Sequence, residues 1–281
     1  MSQAEGETRE LTGDYAGADD LLWAAQSGAL AQLGTIRVNR SGLAGPLVEM
    51  LFARRADPAA FARVEFAAPF AVSIEQAIVD GTISGESYQS RNGVFPLCRF
   101  AEDGDGADRW ALWRSRAEQA GCRVGLPGPF AAAVIGAMGE LQDNVALHSR
   151  RAETGLVVYA ATPDAFEIVV ADRGIGVLAS LQESAAYAGV ADAGAALKIA
   201  VQDGESRFGH ASGHGFGMGQ MFRALADHDG ELRFRSGDHA LTVRGQSPSL
   251  QSGIELAHKA RLVGLTIGVR CRTPSGVLQR P

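Results

Sequence analysis

Six glycines in two short runs constrain this 281-residue chain more tightly than anything else in its sequence: Gly174 and Gly176 in Asp172-Arg-Gly-Ile-Gly176, and Gly213, Gly215, Gly217 and Gly219 in Gly213-His-Gly-Phe-Gly-Met-Gly219. A residue without a Cβ lets the backbone come close to a ligand and adopt turns that other residues avoid. The first run directly follows a strand-like segment, so Asp172 stands at a strand end, where its carboxylate can accept a hydrogen bond from an exocyclic amine. The second run opens a helix-like segment and exposes backbone N–H groups at a positive helix end, which suits a phosphate chain. A third segment precedes both. Glu140 and Asn144 in Glu140-Leu-Gln-Asp-Asn144 stack on one helical face beside its apolar stripe, so a carboxylate and a carboxamide can point into a site together.

That stripe is Phe130, Val134, Met138, Leu141 and Val145, at spacings of four, four, three and four, and it predicts a long helix over 130–149. Runs 155–161 and 166–171 flank the turn residues Thr162-Pro163-Asp164 and predict a hairpin. A helix is predicted over 219–228 with Gly230 as its terminator, and strands over 231–236 and 262–272, where apolar and polar residues alternate. On that alternation Arg233 and Arg235 form a wet strand face. Upstream, helices are predicted at 21–33, 43–55, 72–79 and 107–120 and strands at 35–38, 64–66 and 94–100, with an acidic turn at 102–108. Residues 1–20 show no periodicity and are expected to fray. The expected division is a small α/β unit over 21–125 and a second domain over 126–281.

With 46% hydrophobic and 21% charged residues, the composition excludes disordered, collagenous and coiled-coil proteins. A net charge of −6 argues against a dedicated nucleic-acid binder, because neutralising phosphates needs a basic surface. The first ten residues hold no apolar segment and stretches such as 130–138 are too short to span a bilayer, so the expectation is a cytoplasmic protein with no membrane partner. Cys98, Cys122 and Cys271, widely separated and without a CxxC pair, are expected as reduced thiols.

Taken in order, the E-x-x-x-N helix, the D-x-G-x-G turn and the G-x-G-x-G loop resemble the N, G1 and G2 boxes of the GHKL superfamily of ATP-binding proteins, which includes gyrase, histidine kinases, MutL proteins and serine-kinase anti-sigma factors. The resemblance covers about 125–272, and Gly176 and Gly213 are separated by a lid-sized 37 positions. It implies an α+β two-layer sandwich of the Bergerat type, with a mixed sheet covered by helices on one face. It also implies ATP and Mg²⁺ as ligands, held between helix 130–149 and a lid over 177–212. Position by position, Asn144 would coordinate Mg²⁺, Asp172 would accept from the adenine amino group, and Gly174 and Gly176 would shape the adenine end. Gly213, Gly215 and Gly217 would form the lid hinge and phosphate cradle, and Glu140 matches the general base for water. Lys198 and Arg207 are the lid cations best able to reach a γ-phosphate, the competing reading being a solvated lid face. Leu147 and Phe216 depart from the pattern: the first position is often basic in sensor kinases, the second often leucine.

Other readings of the same residues fare worse. The loop at 213–219 lacks the preceding strand of a dinucleotide-binding turn and the G-K-[ST] of a Walker loop. His210 and His214 lack the third ligand that zinc requires. His148, close to the apolar stripe, reads as a partly buried histidine. Because residues 1–125 contain no histidine, self-phosphorylation on an upstream helical hairpin is excluded. What the resemblance leaves is a Mg²⁺-dependent ATPase or protein kinase in bacterial signalling, or a nucleotide-dependent switch in which ATP changes a partner surface without useful turnover. A protein partner or a homodimer is expected in either case. The amino-terminal part is weakly similar to STAS-type regulatory domains through Arg63-Val-Glu-Phe-Ala-Ala-Pro-Phe70, the competing reading being an extension that packs on the ATPase domain or supplies a dimer interface.

Overall fold

Strand-helix alternation in the first eighty residues builds a small parallel sheet. The computed structural model describes residues 8–39, 43–102, 104–201, 230–244 and 254–273. Strand β1 (Arg9–Thr12), helix α1 (Tyr15–Gln26), strand β2 (Ile36–Asn39), helix α2 (Ala44–Ala56), strand β3 (Val64–Phe66) and helix α3 (Pro69–Asp80) follow one another, and the strands pair in parallel in the order β1-β2-β3. Parallel neighbours need a crossover, and α1 and α2 supply the two. Two elements start earlier than the sequence pattern indicates. The stretch expected to fray contains β1, and α1 begins at Tyr15 because Asp14 caps it, accepting from Gly17 N at 2.8 Å.

The rest of the chain organises around a second sheet. Strand β4 (Asn92–Pro96), helices α4 (Arg99–Glu102), α5 (Gly106–Arg123) and α6 (Gly128–His148), strands β5 (Leu156–Thr162) and β6 (Ala165–Asp172), helices α7 (Gly176–Gln182) and α8 (Ala193–Ala200), and strands β7 (Glu231–Arg244) and β8 (Ile254–Arg272) follow in order. The sheet order is β4-β5-β6-β8-β7, and every pairing is antiparallel. Among the described residues this corrects the expected mixed sheet. The β5-β6 hairpin forms where the turn residues indicate. Strand β4 and helix α5 come from before residue 126 yet lie in this sheet and against α6, so the sheet boundary does not follow the expected division of the chain.

Helices cover both faces of the five-stranded sheet, α5 and α6 on one and α1, α2 and α3 of the amino-terminal unit on the other. On one face Phe95, Val157, Tyr159, Phe166, Ile168 and Val170 pack against Trp110, Trp113 and the α6 stripe, all of whose five residues are buried. On the other, Val158, Val169, Ala171 and Leu262 share a core with α1, α2 and α3. Burial on both sides explains why β6 is buried along its whole length. Cys98, Cys122 and Cys271 form no disulfide, and no helix among the described residues is long and apolar enough to cross a membrane.

The second helical layer is joined to the sheet by buried charge. Arg233 and Arg235, expected on a wet strand face, are 6% and 0% exposed. Their face is covered by α1 and α2, whose Asp19 and Glu49 meet them: Arg233 Nη2 lies 2.6 Å from Asp19 Oδ1, Arg233 Nε 2.9 Å from Glu49 Oε1, and Arg235 Nη1 2.7 Å and 3.0 Å from the same two carboxylates. Lys259 Nζ adds a contact to Asp19 at 2.7 Å, and the Arg233 guanidinium sits 4.5 Å from the Tyr15 ring centroid. Burial alone would raise the Asp19 carboxyl, but Arg233 and Lys259 outweigh it and hold it below the usual carboxylate range. Glu49→Gln leaves two buried guanidinium groups short of a counter-charge and should cost about 3–5 kcal/mol in denaturant unfolding. A loss within the error of the measurement would show that the pair is dispensable.

A second buried carboxylate, Glu167 on β6, accepts from the backbone N–H groups of Ala44 and Gly45 at the N-terminus of α2. Burial outweighs these bonds and pushes its carboxyl up to about 7. A raised carboxyl binds its proton more tightly in the folded state than in the unfolded one. Stability from this group is therefore full below about pH 4.5 and is lost as pH rises through about 7, by roughly 3 kcal/mol at most. Glu167→Gln should flatten that part of the stability profile relative to the parent, as read by urea unfolding at a series of pH values; parallel profiles would refute it.

Candidate functional site

Asp172 ends β6, and the alternation of the strand places it on the side of Phe166, Ile168 and Val170, the side covered by α6. Glu140 and Asn144 therefore project from the helix that packs over the sheet face on which Asp172 lies. Glu140 is exposed and Asn144 half-buried. Asp172 is 2% exposed; its Oδ1 accepts from Gly174 N at 2.7 Å, and no described residue donates to its Oδ2. Burial pushes its carboxyl up to about 6, against the single backbone bond that favours the charged form. It is an acceptor shielded from water, with one oxygen to which no described residue donates.

The turn after Asp172 is held from three sides. Ile175 N donates to Ser149 O, at the C-terminal end of α6, at 3.0 Å. Val177 N donates to Ser236 Oγ on β7 at 3.1 Å, and that hydroxyl donates to Gly264 O on β8 at 2.7 Å. The approach of the turn to α6 requires a glycine at 174, since a Cβ there would stand 2.1 Å from Ser149 O. Gly264 combines a φ of +83° with a Cβ position 2.1 Å from Asp172 O. It sits where the β7-β8 register slips, Ser236 facing Leu265 while Gly237 faces Leu262. Ser236 and Gly264 escape the motif reading; a lone glycine inside an alternating run was the available signal for the bulge.

Beside this turn lies a cavity of about 540 Å³, walled by Gly174, Gly176, Ser236, Gly264, Gln182 of α7 and Asp192 at the start of α8. Asp172, Asn144 and Glu140 are not among its described lining residues. The region expected as a lid contains α7 and α8; α8 buries Leu197 and exposes Lys198, while Ser180 of α7 meets His148 of α6 at 3.4 Å. His148 is half-buried, as its position near the stripe predicts. Gly213, Gly215, Gly217, Arg207, His210, His214 and the helix predicted at 219–228 lie outside the described residues. Among the described residues no cluster of three His, Cys, Asp or Glu side chains could hold a metal ion. A Mg²⁺ ion that keeps most of its ligands from water and phosphate needs only one or two from protein, which a single carboxamide such as Asn144 can supply.

No family model, no curated protein and no solved structure matches this chain.

Gly264→Ala forces a Cβ into the backbone of Asp172 and Arg173 in a left-handed conformation. Thermal unfolding should register a loss of about 2–4 kcal/mol, larger than that of an ordinary surface substitution. Retention of the parent melting temperature would mean that the bulge can be rebuilt.

Proposed function

We propose that this chain is a Mg²⁺-dependent ATP-binding protein of the GHKL type, acting in bacterial signalling by ATP hydrolysis or by phosphoryl transfer to a partner. The observation that carries the reading is Asp172: a buried carboxylate at the end of a central strand, with one oxygen bonded to Gly174 of its own turn and the other free of described donors, on the face covered by the helix of Glu140 and Asn144. Such an acceptor suits the exocyclic amine of adenine. Gly174 and Gly176 let the turn lie close to a planar ring, and Asn144 would hold Mg²⁺ through its side-chain oxygen. The ion, when bound, neutralises and orients phosphate oxygens. Glu140 would orient or deprotonate water, and its exposure leaves it open to both solvent and substrate.

That same exposure favours a second reading. No described residue bonds Glu140, so nothing described fixes its carboxylate against a water molecule, and a switch that binds ATP with little turnover is equally consistent with the site.

Calorimetric titration with ATP and Mg²⁺ should give binding of about 4–8 kcal/mol. Asp172→Asn should weaken it about tenfold through loss of the amine acceptor. Absence of heat or thermal shift with any adenine nucleotide would end the proposal. Slow hydrolysis abolished by Glu140→Gln, with binding retained, would assign the base; binding without hydrolysis in the parent chain would select the switch.

A further inference from the structure

On the opposite side of the sheet from Asp172 lies a cluster that the nucleotide reading does not use. Arg173 follows Asp172 in the chain, and its side chain goes to the other face, with the guanidinium 6.0 Å from the Phe52 ring centroid of α2. There it lines a second cavity of about 240 Å³, together with Ala77 and Ile78 of α3, Pro96 of β4 and the segment from Arg151 to Leu156. Its Nε is buried and has no hydrogen-bond partner. No described residue forms an ion pair with Arg173. The one carboxylate on the cavity wall, Glu153, is engaged by Arg151 at 3.4 Å, and both of those side chains are about three-fifths exposed. Burial, Arg55 and Arg151 together depress the Arg173 guanidinium below its ordinary value, with Glu153 opposing them. Arg173 and Arg151 thus face one carboxylate around the cavity, and no described residue accepts from the half-buried Arg173 guanidinium.

We propose that this cavity is an anion site for a phosphoryl group, with Arg173 as its anchor and Arg151 as its outer cation. The tetrahedral, multiply charged oxygens of phosphate match the terminal Nη donors of arginine, from which no described residue accepts at Arg173. The volume admits a phosphate with a few atoms attached, so the ligand is either a small phosphorylated molecule or a phosphorylated side chain presented by another protein. Glu153 is the competitor: while it holds Arg151, it occupies a donor set that the anion would take. The site is separate from the proposed nucleotide site and stands whether or not ATP binds.

The test is titration of the full chain with inorganic phosphate and with a phosphoserine peptide, at ionic strength held constant with chloride. Phosphate should bind the parent chain, and Arg151→Gln, at an exposed position replaceable without loss of fold, should weaken it roughly threefold to tenfold. Arg173→Gln should abolish it, with a melting curve confirming a folded variant. Glu153→Gln should tighten it, a response that phosphate held elsewhere would not give. A peptide that binds about tenfold tighter than phosphate identifies a phosphoprotein as the source, and equal affinities identify a small molecule. No binding of either probe, or binding unaffected by Arg151→Gln and Glu153→Gln, overturns the proposal.

Discussion

The contact between Arg233 and Arg235 on β7 and Asp19 and Glu49 on α1 and α2 is the interaction on which the architecture turns. Its members are 184 to 216 residues apart in the chain, and Arg235 and Glu49 are fully buried. Buried charge is expensive to desolvate, so an arrangement like this confers little net stability over an apolar one. Its effect is selective: a helical layer that missed its register on the sheet would leave two guanidinium groups and two carboxylates dry and unpaired. Apolar packing between α2 and β6 tolerates sliding far better. The ionic cluster and the Glu167 clasp at the α2 N-terminus therefore define where the amino-terminal layer sits, while the shared apolar core supplies most of the adhesion.

Much of this was visible in the residues. The α6 stripe, strand β3 at 64–66 and helix α2, observed one residue downstream of its predicted position, all follow from local periodicity. What escaped was set by partners far away in the chain. Leu232 and Phe234 alternate with arginines as a half-wet strand would, and nothing local distinguishes an arginine facing water from one facing Asp19. The hints lay in other segments: Glu49 is the lone carboxylate of an apolar helix buried over nine successive residues, and the apolar runs of β5 and β6 continue where one-sided burial would give alternation. β1 is four residues long and mostly exposed, too short to carry a pattern.

The candidate site divides in the same way. Asp172, Gly174 and the face shared by Glu140 and Asn144 could be picked out because their chemistry is carried by short, ordered segments. Ser236 and Gly264 could not, since their importance arises from a register slip that exists only once β7 and β8 are paired. The Asp172 turn is thereby fastened to α6 through Ser149 and to the β7-β8 pair through Ser236. Movement of either support would be felt at the carboxylate, so the proposed switch would have a route from site to surface without a separate hinge.

The placement of β4 and the ionic cluster also bears on how the molecule comes into being. Asp19 and Glu49 are synthesised early, and the arginines that neutralise them come near the end of the described chain, after α1, α2 and most of the sheet have already left the ribosome. Until β7 and β8 emerge, the amino-terminal layer exposes the face meant for them, and with it a pair of carboxylates that discourages premature burial against anything apolar. Contacts of such long sequence separation slow folding. Closure of the cluster waits on β7 and β8, and until they emerge the acidic pair keeps the nascent layer from settling on an apolar surface.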